Sequence, residues 1–287
     1  MTDPTTAIDR IESRLGPLAV RSSGDGPPLV FFAGALANGE IWRDVVAGLE
    51  DRYRCITVDL PLGSHRWPLL SRADRSATSV ASLLPEALEL LDVGAATVVA
   101  NDTAGGLLLL ALAGAHPGLD RIGRLVLINC DSYDHFPPAA LRRAAAVCRT
   151  TPRLARAALR MQARSAAARQ RTIASVSARG LDERRAESLF RPARRDPAIA
   201  ADLVAAMAGF RPQLLLDAAT VIPTFEKPVL LVWGDACEFF PVDHAQRLAA
   251  AFPNATLRIV DGAKTWVAVD NPKAVIDAIG SWLMDRS

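Results

Sequence analysis

Short apolar runs alternate along the first half of the chain with stretches whose apolar residues recur at helical spacing. Each apolar run predicts a β-strand, and the helical stretch that follows predicts the helix connecting it to the next strand. Strands and helices that alternate in this way are typical of βαβ units. The strands predicted in this half are Pro28–Phe32, Cys55–Val58, Ala96–Ala100 and Leu125–Asn129.

Helices are predicted between these strands. In the first of them Ile41, Val45 and Leu49 fall on one helical face, and the other two are Val80–Leu91 and Gly105–Ala115. Strands without polar interruption are covered on both faces when they belong to a parallel sheet. The pattern therefore predicts an α/β fold, with a mostly parallel sheet between two layers of helices.

The pattern changes after Pro137 and Pro138, where alanine and arginine dominate, helical periodicity continues and no strand is predicted. The alternation then resumes, with the elements Val229–Trp233, Val242–Phe252, Thr256–Val260 and Pro272–Met284. We therefore predict an α/β core formed by residues 1–136 and 220–287 and an inserted helical cap at residues 137–219.

Charge is distributed unevenly along the 287 residues, whose formal net charge is +2. Residues 142–195 contain fifteen arginines against Asp182, Glu183 and Glu187, which gives this segment a formal charge of +12 and leaves −10 for the rest. Such asymmetry favours a separate structural unit and raises the hypothesis of an anionic partner.

The cysteines and the apolar segments indicate a cytoplasmic location. Four cysteines stand singly and far apart, which suits reduced thiols better than a disulfide framework or a zinc site; they are Cys55, Cys130, Cys148 and Cys237. Residues 1–25 lack the apolar run of a secretory signal. The apolar stretch Leu107–Ala115 is shorter than the roughly 20 residues needed to cross a bilayer, so no membrane association is predicted.

The strongest chemical signal lies in Val98–Gly106, where an apolar strand runs into Asp102 and then into a helix. Ala100 and Ala104 stand two positions on either side. Small residues are needed there when the turn is so sharp that a larger Cβ would collide with its neighbours, and such a turn lifts its central residue above the sheet. The alternative is an aspartate that only caps the helix N-terminus.

Together with four other motifs, this turn resembles the α/β-hydrolase fold family, in its haloalkane dehalogenase and epoxide hydrolase branch, over nearly the full length. The other motifs are Val30–Ala35 with Trp42, Asp59–Pro61, Leu230–Gly234 with Phe239–Pro241, and Gly262–Pro272. The resemblance implies the α/β-hydrolase fold, with Asp102 at the nucleophile position and the backbone amides of Ala35 and Thr103 as an oxyanion hole.

The chain departs from the family where the other catalytic residues are expected. Thr265 occupies the position of the histidine base, and a threonine cannot perform that role. Cys237 stands where the acid often lies, with Asp235 or Glu238 as substitutes. In the dehalogenase branch the acid can instead follow the next strand, which makes Asp131 a candidate; its alternative is a turn residue entering the cap.

Another histidine is the first hypothesis for the missing base. His65 lies on a loop after a core strand, at the carboxyl edge of the sheet where open α/β sheets bind ligands. We expect it to be a proton partner of Asp102. His135 is predicted near the same cleft, whereas His116 is expected at a helix C-terminus and His244 on the surface. A lone histidine is more often structural than catalytic.

The resemblance gives mostly negative information about the substrate. Thr103 stands where the family's dehalogenases place a halide-binding tryptophan, and the cap lacks the tyrosines of its epoxide hydrolases beyond Tyr133 at its edge. We expect the substrate pocket to be lined by Trp42, Tyr133, His135, Thr265 and Trp266. No cofactor and no metal site are predicted.

The cap arginines carry the partner hypothesis. Arg153, Arg156, Arg160 and Arg164 fall on one helical face, which is a solvated surface or a docking surface for an acidic carrier protein or a coenzyme A-linked substrate. Nothing predicts nucleic-acid binding, because no aromatic residues alternate with the arginines.

Three mechanisms follow from these residues: another histidine supplies the base, Asp102 transfers protons without covalent chemistry, or the site is inactive. We expect an atypical enzyme of this fold, a hydrolase or a lyase or cyclase derived from one, that acts on a small, largely apolar molecule. The alternative is a catalytically silent protein that binds small molecules or partners.

Overall fold

The computed structural model describes residues 8–285. Eight strands form one sheet: β1 (Asp9–Ser13), β2 (Gly16–Ser23), β3 (Pro28–Phe32), β4 (Arg54–Asp59), β5 (Ala96–Asp102), β6 (Ile122–Cys130), β7 (Val229–Gly234) and β8 (Ala255–Val260). The six predicted strands correspond to β3–β8. The sequence pattern misses β1 and β2, because β1 is mostly exposed and polar and offers no apolar run.

The strand order is β1-β2-β4-β3-β5-β6-β7-β8. Strands β3 to β8 pair in parallel, whereas β1 and β2 are antiparallel at one edge. Phe32 of β3 pairs with both Val58 of β4 and Ala100 of β5, so these strands end at the same level. A register shift at Asn101 and Asp102 then brings the chain out of the sheet.

Alternate side chains of the central strands enter two separate apolar cores. Val30 and Phe32 pack into the core on one face of the sheet, and Leu29 and Phe31 pack into the core on the other. All four are at most 1% exposed. The prediction of a mostly parallel sheet covered on both faces is therefore confirmed.

Thirteen α-helices are found among residues 8–285: α1 (Arg43–Leu49), α2 (Ala77–Ala81), α3 (Leu83–Leu90), α4 (Thr103–Leu112), α5 (Arg142–Thr150), α6 (Pro152–Arg164), α7 (Ala166–Val176), α8 (Glu183–Arg195), α9 (Pro197–Gly209), α10 (Pro212–Ala218), α11 (Val242–Ala251), α12 (Val267–Asp270) and α13 (Pro272–Met284). The predicted helix Val80–Leu91 is divided at Ser82, since Pro85 cannot donate the backbone hydrogen bond to Ala81 that would join α2 to α3.

Helices α5–α10 lie between β6 and β7, and we call them the cap. Helix α9 packs against α5, α6 and α8 within the cap and against α2 below it, while α10 packs against α4. Among the described residues no single helix is long and apolar enough to span a membrane. The bent pair Pro197–Gly209 and Pro212–Thr224 meets that test by length and composition, with a bend of 67° between its halves.

Candidate active site

Asp102 lies at the sharp turn between β5 and α4, where its backbone has φ of 58° and ψ of −134°. Residues other than glycine rarely adopt this conformation, so the turn is strained. Ala100 and Ala104 on either side are completely buried. A Cβ atom added at Gly34 would collide with Oδ2 of Asp102, and one added at Gly105 would collide with Cys130. The turn therefore depends on small residues on every side.

The carboxyl group of Asp102 accepts hydrogen bonds from the backbone amides of Ala35 and Thr103. These are the two donors that the sequence predicts as an oxyanion hole. In this structure they hold the Asp102 carboxyl group itself, between the loop after β3 and the first residue of α4.

A cavity of about 440 Å³ extends from Asp102 into the cap. Core residues such as Ala35, Phe239, Phe240 and Trp266 line its floor, and residues of α5, α6, α7 and α9 line its walls. Its mouth includes Leu141 and Val147, which are 37% and 44% exposed. The lining is mostly apolar, with polar groups at Asp102 and Thr103 and, in the cap, at Gln162, Thr172 and Ser175.

Burial in these apolar surroundings raises the pKa of Asp102 from its ordinary value near 4 to about 7, because the charged form loses its hydration. The amides of Thr103 and Ala35 oppose this rise. A carboxyl group in this state exchanges its proton near neutral pH.

The structure brings Asp131 close to Asp102. Asp131 is 1% exposed, and burial together with the neighbouring charge of Asp102 raises its pKa well above the usual range, against a hydrogen bond from the Thr103 side chain. Its Oδ1 atom has no hydrogen-bond partner. Burial therefore favours the protonated form of Asp131.

The position of the expected histidine base is filled. The Thr265 side chain is completely buried, with its Oγ1 atom 3.1 Å from Sγ of Cys237, and its carbonyl oxygen accepts a hydrogen bond of 2.8 Å from Asn101. Thr265 is absent from the cavity lining, which contradicts its prediction as a pocket residue, because its hydroxyl turns to the thiol. Asp235 does not replace the acid here; its carboxylate accepts the backbone N–H of Gly262.

The structure also contradicts the prediction for His65. Nδ1 of His65 accepts the backbone N–H of Gly63 at 3.2 Å, and Nε2 lies 3.1 Å from Oδ2 of Asp202 in α9. Asp202 also accepts a bond of 2.6 Å from Arg75. A buried carboxylate needs such hydrogen-bond partners, and the bond from His65 to Asp202 holds the His65 loop against the cap. Both ring nitrogens are thus engaged away from Asp102.

Of the five predicted pocket residues, Trp266 lines the cavity. Trp42 does not, because its side chain is completely buried within an apolar core, with its ring centroid 5.3 Å from that of Phe31. Its place in the predicted pocket is wrong.

Tyr133 and His135 are also directed away from the cavity. Tyr133 has a positive φ of 50°, which turns the chain after β6 toward α11. Its ring lies beneath the guanidinium of Arg247, 3.6 Å from the ring centroid. The ring of His135 packs against that of His244, 4.0 Å away.

Several cavity residues are absent from the sequence-based prediction. Phe239 and Phe240 line the floor, although the sequence analysis treats them only as a family motif. In the cap, Gln162 donates a hydrogen bond of 2.7 Å to Thr172. The spacing of Ala155 and Leu159 could have predicted that one face of α6 is directed toward the core.

The four arginines of the predicted basic face lie on α6. Arg153 and Arg164 are exposed, and Arg156 and Arg160 are partly buried. The same helix exposes two large apolar side chains, Leu154 at 66% and Met161 at 68%. The four cysteines of the chain are free and buried, as predicted.

Comparisons with known proteins agree with this architecture. A family model described as alpha/beta hydrolase fold matches residues 27–272. A pimeloyl-[acyl-carrier protein] methyl ester esterase of Aeromonas hydrophila is 35% identical over 115 residues, which cover 39% of this chain and 41% of that protein.

Two solved structures are similar over nearly the whole chain. An alpha/beta hydrolase fold protein from Burkholderia ambifaria is 25% identical, with a TM-score of 0.76 and coverage of 97% of this chain and 98% of that one. An ancestral haloalkane dehalogenase is 19% identical, with a TM-score of 0.78 and coverage of 97% and 98%. The predicted fold class is confirmed.

Proposed function

Because the chain belongs to the alpha/beta hydrolase fold family, we propose that it is an atypical enzyme of this fold that acts on a small, largely apolar molecule. Within the general class, a hydrolase or a lyase or cyclase derived from one, we infer that Asp102 works by proton transfer. The proposal rests on a single observation: a carboxyl group whose pKa is about 7 faces an apolar cavity.

The surroundings of Asp102 favour proton transfer over hydrolysis. Hydrolysis of an ester formed on an aspartate needs a base that activates water. The histidine position holds Thr265, whose hydroxyl is engaged with Cys237, and His65 is engaged with Asp202. A covalent ester on Asp102 would therefore persist.

Proton transfer uses the groups that are present. The ionised carboxylate takes a proton from a C–H or O–H bond of the substrate, and the electron pair of that bond forms a new bond or expels a leaving group. The protonated carboxyl then returns the proton to the product or the leaving group. No water, metal or co-reactant is consumed, which suits a lyase or cyclase.

The cavity limits the substrate. Its volume of about 440 Å³ is within the range of small-molecule sites, roughly 300 to 1,000 Å³. Its apolar walls favour a molecule with few charged groups, and Gln162, Thr172 and Ser175 offer polar contacts in the cap.

Ring opening of a nitrobenzisoxazole tests this proposal, because this small apolar probe needs only a base. The base removes the ring C–H proton, the electron pair forms a nitrile, and the N–O bond breaks to give a coloured phenolate. We expect the wild-type protein to exceed Asp102→Asn by at least about 100-fold. The rate should rise with pH through about 7, the pKa of Asp102.

Equal rates for wild type and Asp102→Asn would contradict proton transfer and favour the silent binding protein. Hydrolysis is tested separately with p-nitrophenyl butyrate and bromobutane, for which we expect little turnover. Repeated turnover of either compound that Asp102→Asn abolishes would show that another base activates water.

An acidic carrier or a coenzyme A-linked substrate is proposed as the source of the small molecule. The cavity mouth adjoins α5, and the next helix, α6, exposes Arg153 and Arg164 together with Leu154 and Met161. This mixture suits a phosphopantetheine-bearing or acidic partner. The partial similarity to an esterase named for its acyl-carrier substrate supports the same idea.

A further inference from the structure

We propose that Asp134, His135 and His244 form a binding site for a divalent transition metal, Zn²⁺ in the first instance. This site is separate from Asp102: none of the three residues lines the cavity. Asp134 and His135 lie in the segment between β6 and the cap, and His244 lies in the first turn of α11. The fold thus joins residues that are 109 positions apart, which explains why sequence spacing predicts no metal site.

The geometry is close to that of a metal site. One ligand atom from each residue lies within 4.8 Å of the other two. Nδ1 of His135 is buried and lies 3.5 Å from Oδ1 of Asp134, too far for a good hydrogen bond, and has no other partner. Ligand atoms around tetrahedral Zn²⁺ are about 3.3 Å apart, given bonds of about 2.0 to 2.1 Å. Small side-chain rotations would therefore complete the ligand set.

The surroundings of His244 also fit a ligand. Its Nδ1 atom lies 3.1 Å from the Ser132 hydroxyl, which fixes the ring and leaves Nε2 for a metal. Histidine ligands are usually oriented by such a hydrogen bond at their second nitrogen. The neighbouring cation, Arg247, is held against the Tyr133 ring.

The donor set selects the metal. Two imidazoles and one carboxylate suit Zn²⁺ and related transition ions, whereas Mg²⁺ and Ca²⁺ prefer oxygen ligands. The Asp134 side chain is 53% exposed, so water has access to the fourth coordination position. A metal here would connect the segment leading into the cap to core helix α11.

The test is titration of the metal-free full-length chain with Zn²⁺ by calorimetry and with Co²⁺ by its visible absorption. We expect one equivalent to bind, Tm to rise by roughly 5 °C at 100-fold excess over Kd, and His135→Ala to weaken binding at least about 10-fold. Asp134→Asn serves as a second variant, because its exposed side chain is replaceable without affecting folding.

His116→Ala is the matched control, since His116 lies outside the cluster; its Nδ1 accepts the backbone N–H of Gly118 and lies 3.9 Å from Glu89. It should bind like the wild type. The proposal is overturned if wild type binds less than half an equivalent, or if His135→Ala and Asp134→Asn bind Zn²⁺ as tightly as His116→Ala. Binding of Mg²⁺ in preference to Zn²⁺ would also overturn it.

Discussion

The turn that carries Asp102 and the loop that carries Thr265 are two halves of one predicted catalytic site, and they differ sharply. At the turn, Asp102 keeps a strained backbone, a close approach to Gly34 and two amide donors. At the loop, Thr265 and Cys237 lie at the positions where the family resemblance predicts a base and an acid, and they contact each other at 3.1 Å.

The difference shows how each half is built. The turn depends on backbone geometry and small neighbours, and the backbone donors of Ala35 and Thr103 survive any side-chain change except to proline. A base and an acid at the loop would depend on the chemistry of individual side chains, which single substitutions remove. Burial is the largest influence on the pKa of Asp102, which rises to about 7.

The largest expected effect comes from removing the charge at the turn. Native Asp102 keeps its proton up to about pH 7, whereas the unfolded chain loses it near pH 4. The folded protein binds more protons between these values, so its stability falls as pH rises through this window. Asp102→Asn lacks this penalty. We expect it to stabilise the fold by on the order of 4 kcal/mol at about pH 8 and little at about pH 4.

Urea unfolding of wild type and Asp102→Asn at both pH values measures this difference. If the unfolding free energy of Asp102→Asn does not increase relative to wild type as the pH rises, burial does not raise the pKa of Asp102.

A smaller effect is expected from the close approach at Gly34. A Cβ there would collide with Asp102, so Gly34→Ala should destabilise the fold by about 2 kcal/mol, as overpacking usually does, and should slow nitrobenzisoxazole opening. Gly94→Ala is the matched control, because nothing lies within 4 Å of the added Cβ. Equal unfolding free energies of Gly34→Ala and Gly94→Ala would show that the turn tolerates a side chain at position 34.

The loop should respond weakly. Thr265→Val keeps the side-chain shape and removes the hydroxyl that contacts Cys237. We expect a loss of at most about 1 kcal/mol of stability, and an unchanged rate of nitrobenzisoxazole opening. A large drop in that rate, with the fold intact by near-ultraviolet circular dichroism, would make Thr265 part of the catalytic machinery.

The smallest effect on the protein itself is expected at the outer surface of α6. Arg153→Glu should change stability by less than about 0.5 kcal/mol and leave the nitrobenzisoxazole rate unchanged, but weaken calorimetric binding of an acyl carrier protein. Arg258→Glu, an equal charge reversal on the exposed face of β8, is the control. If both variants bind the acyl carrier protein equally well, the arginines of α6 do not form its binding surface.

The sequence predicts the sheet, the turn and the neighbouring Asp131 because these depend on local patterns: apolar runs, small residues at fixed spacing and the end of the next strand. It does not predict β1 and β2, which pair in antiparallel fashion at the sheet edge and do not follow the strand–helix alternation of the core. The fold class needs no knowledge of where individual side chains point.

The surrounding side chains depend on tertiary contacts that spacing does not reveal. His65 turns to Asp202, which lies 137 positions away in the cap. An aspartate in the otherwise apolar sequence of α9 could have predicted a polar partner such as His65, since a buried carboxylate requires hydrogen-bond partners. Likewise, Tyr133 has a positive φ, and the chain after it directs Tyr133 and His135 away from the cavity. The sequence pattern does not predict this backbone conformation.

Carbon-13 NMR of the side-chain carboxyl groups measures the protonation of Asp102 directly. The Asp102 resonance, identified as the one missing from Asp102→Asn, is followed from about pH 4 to about pH 9. We expect a midpoint near 7, because burial in the apolar cavity raises the pKa of Asp102. A midpoint near 4, as for a solvated aspartate, would contradict it.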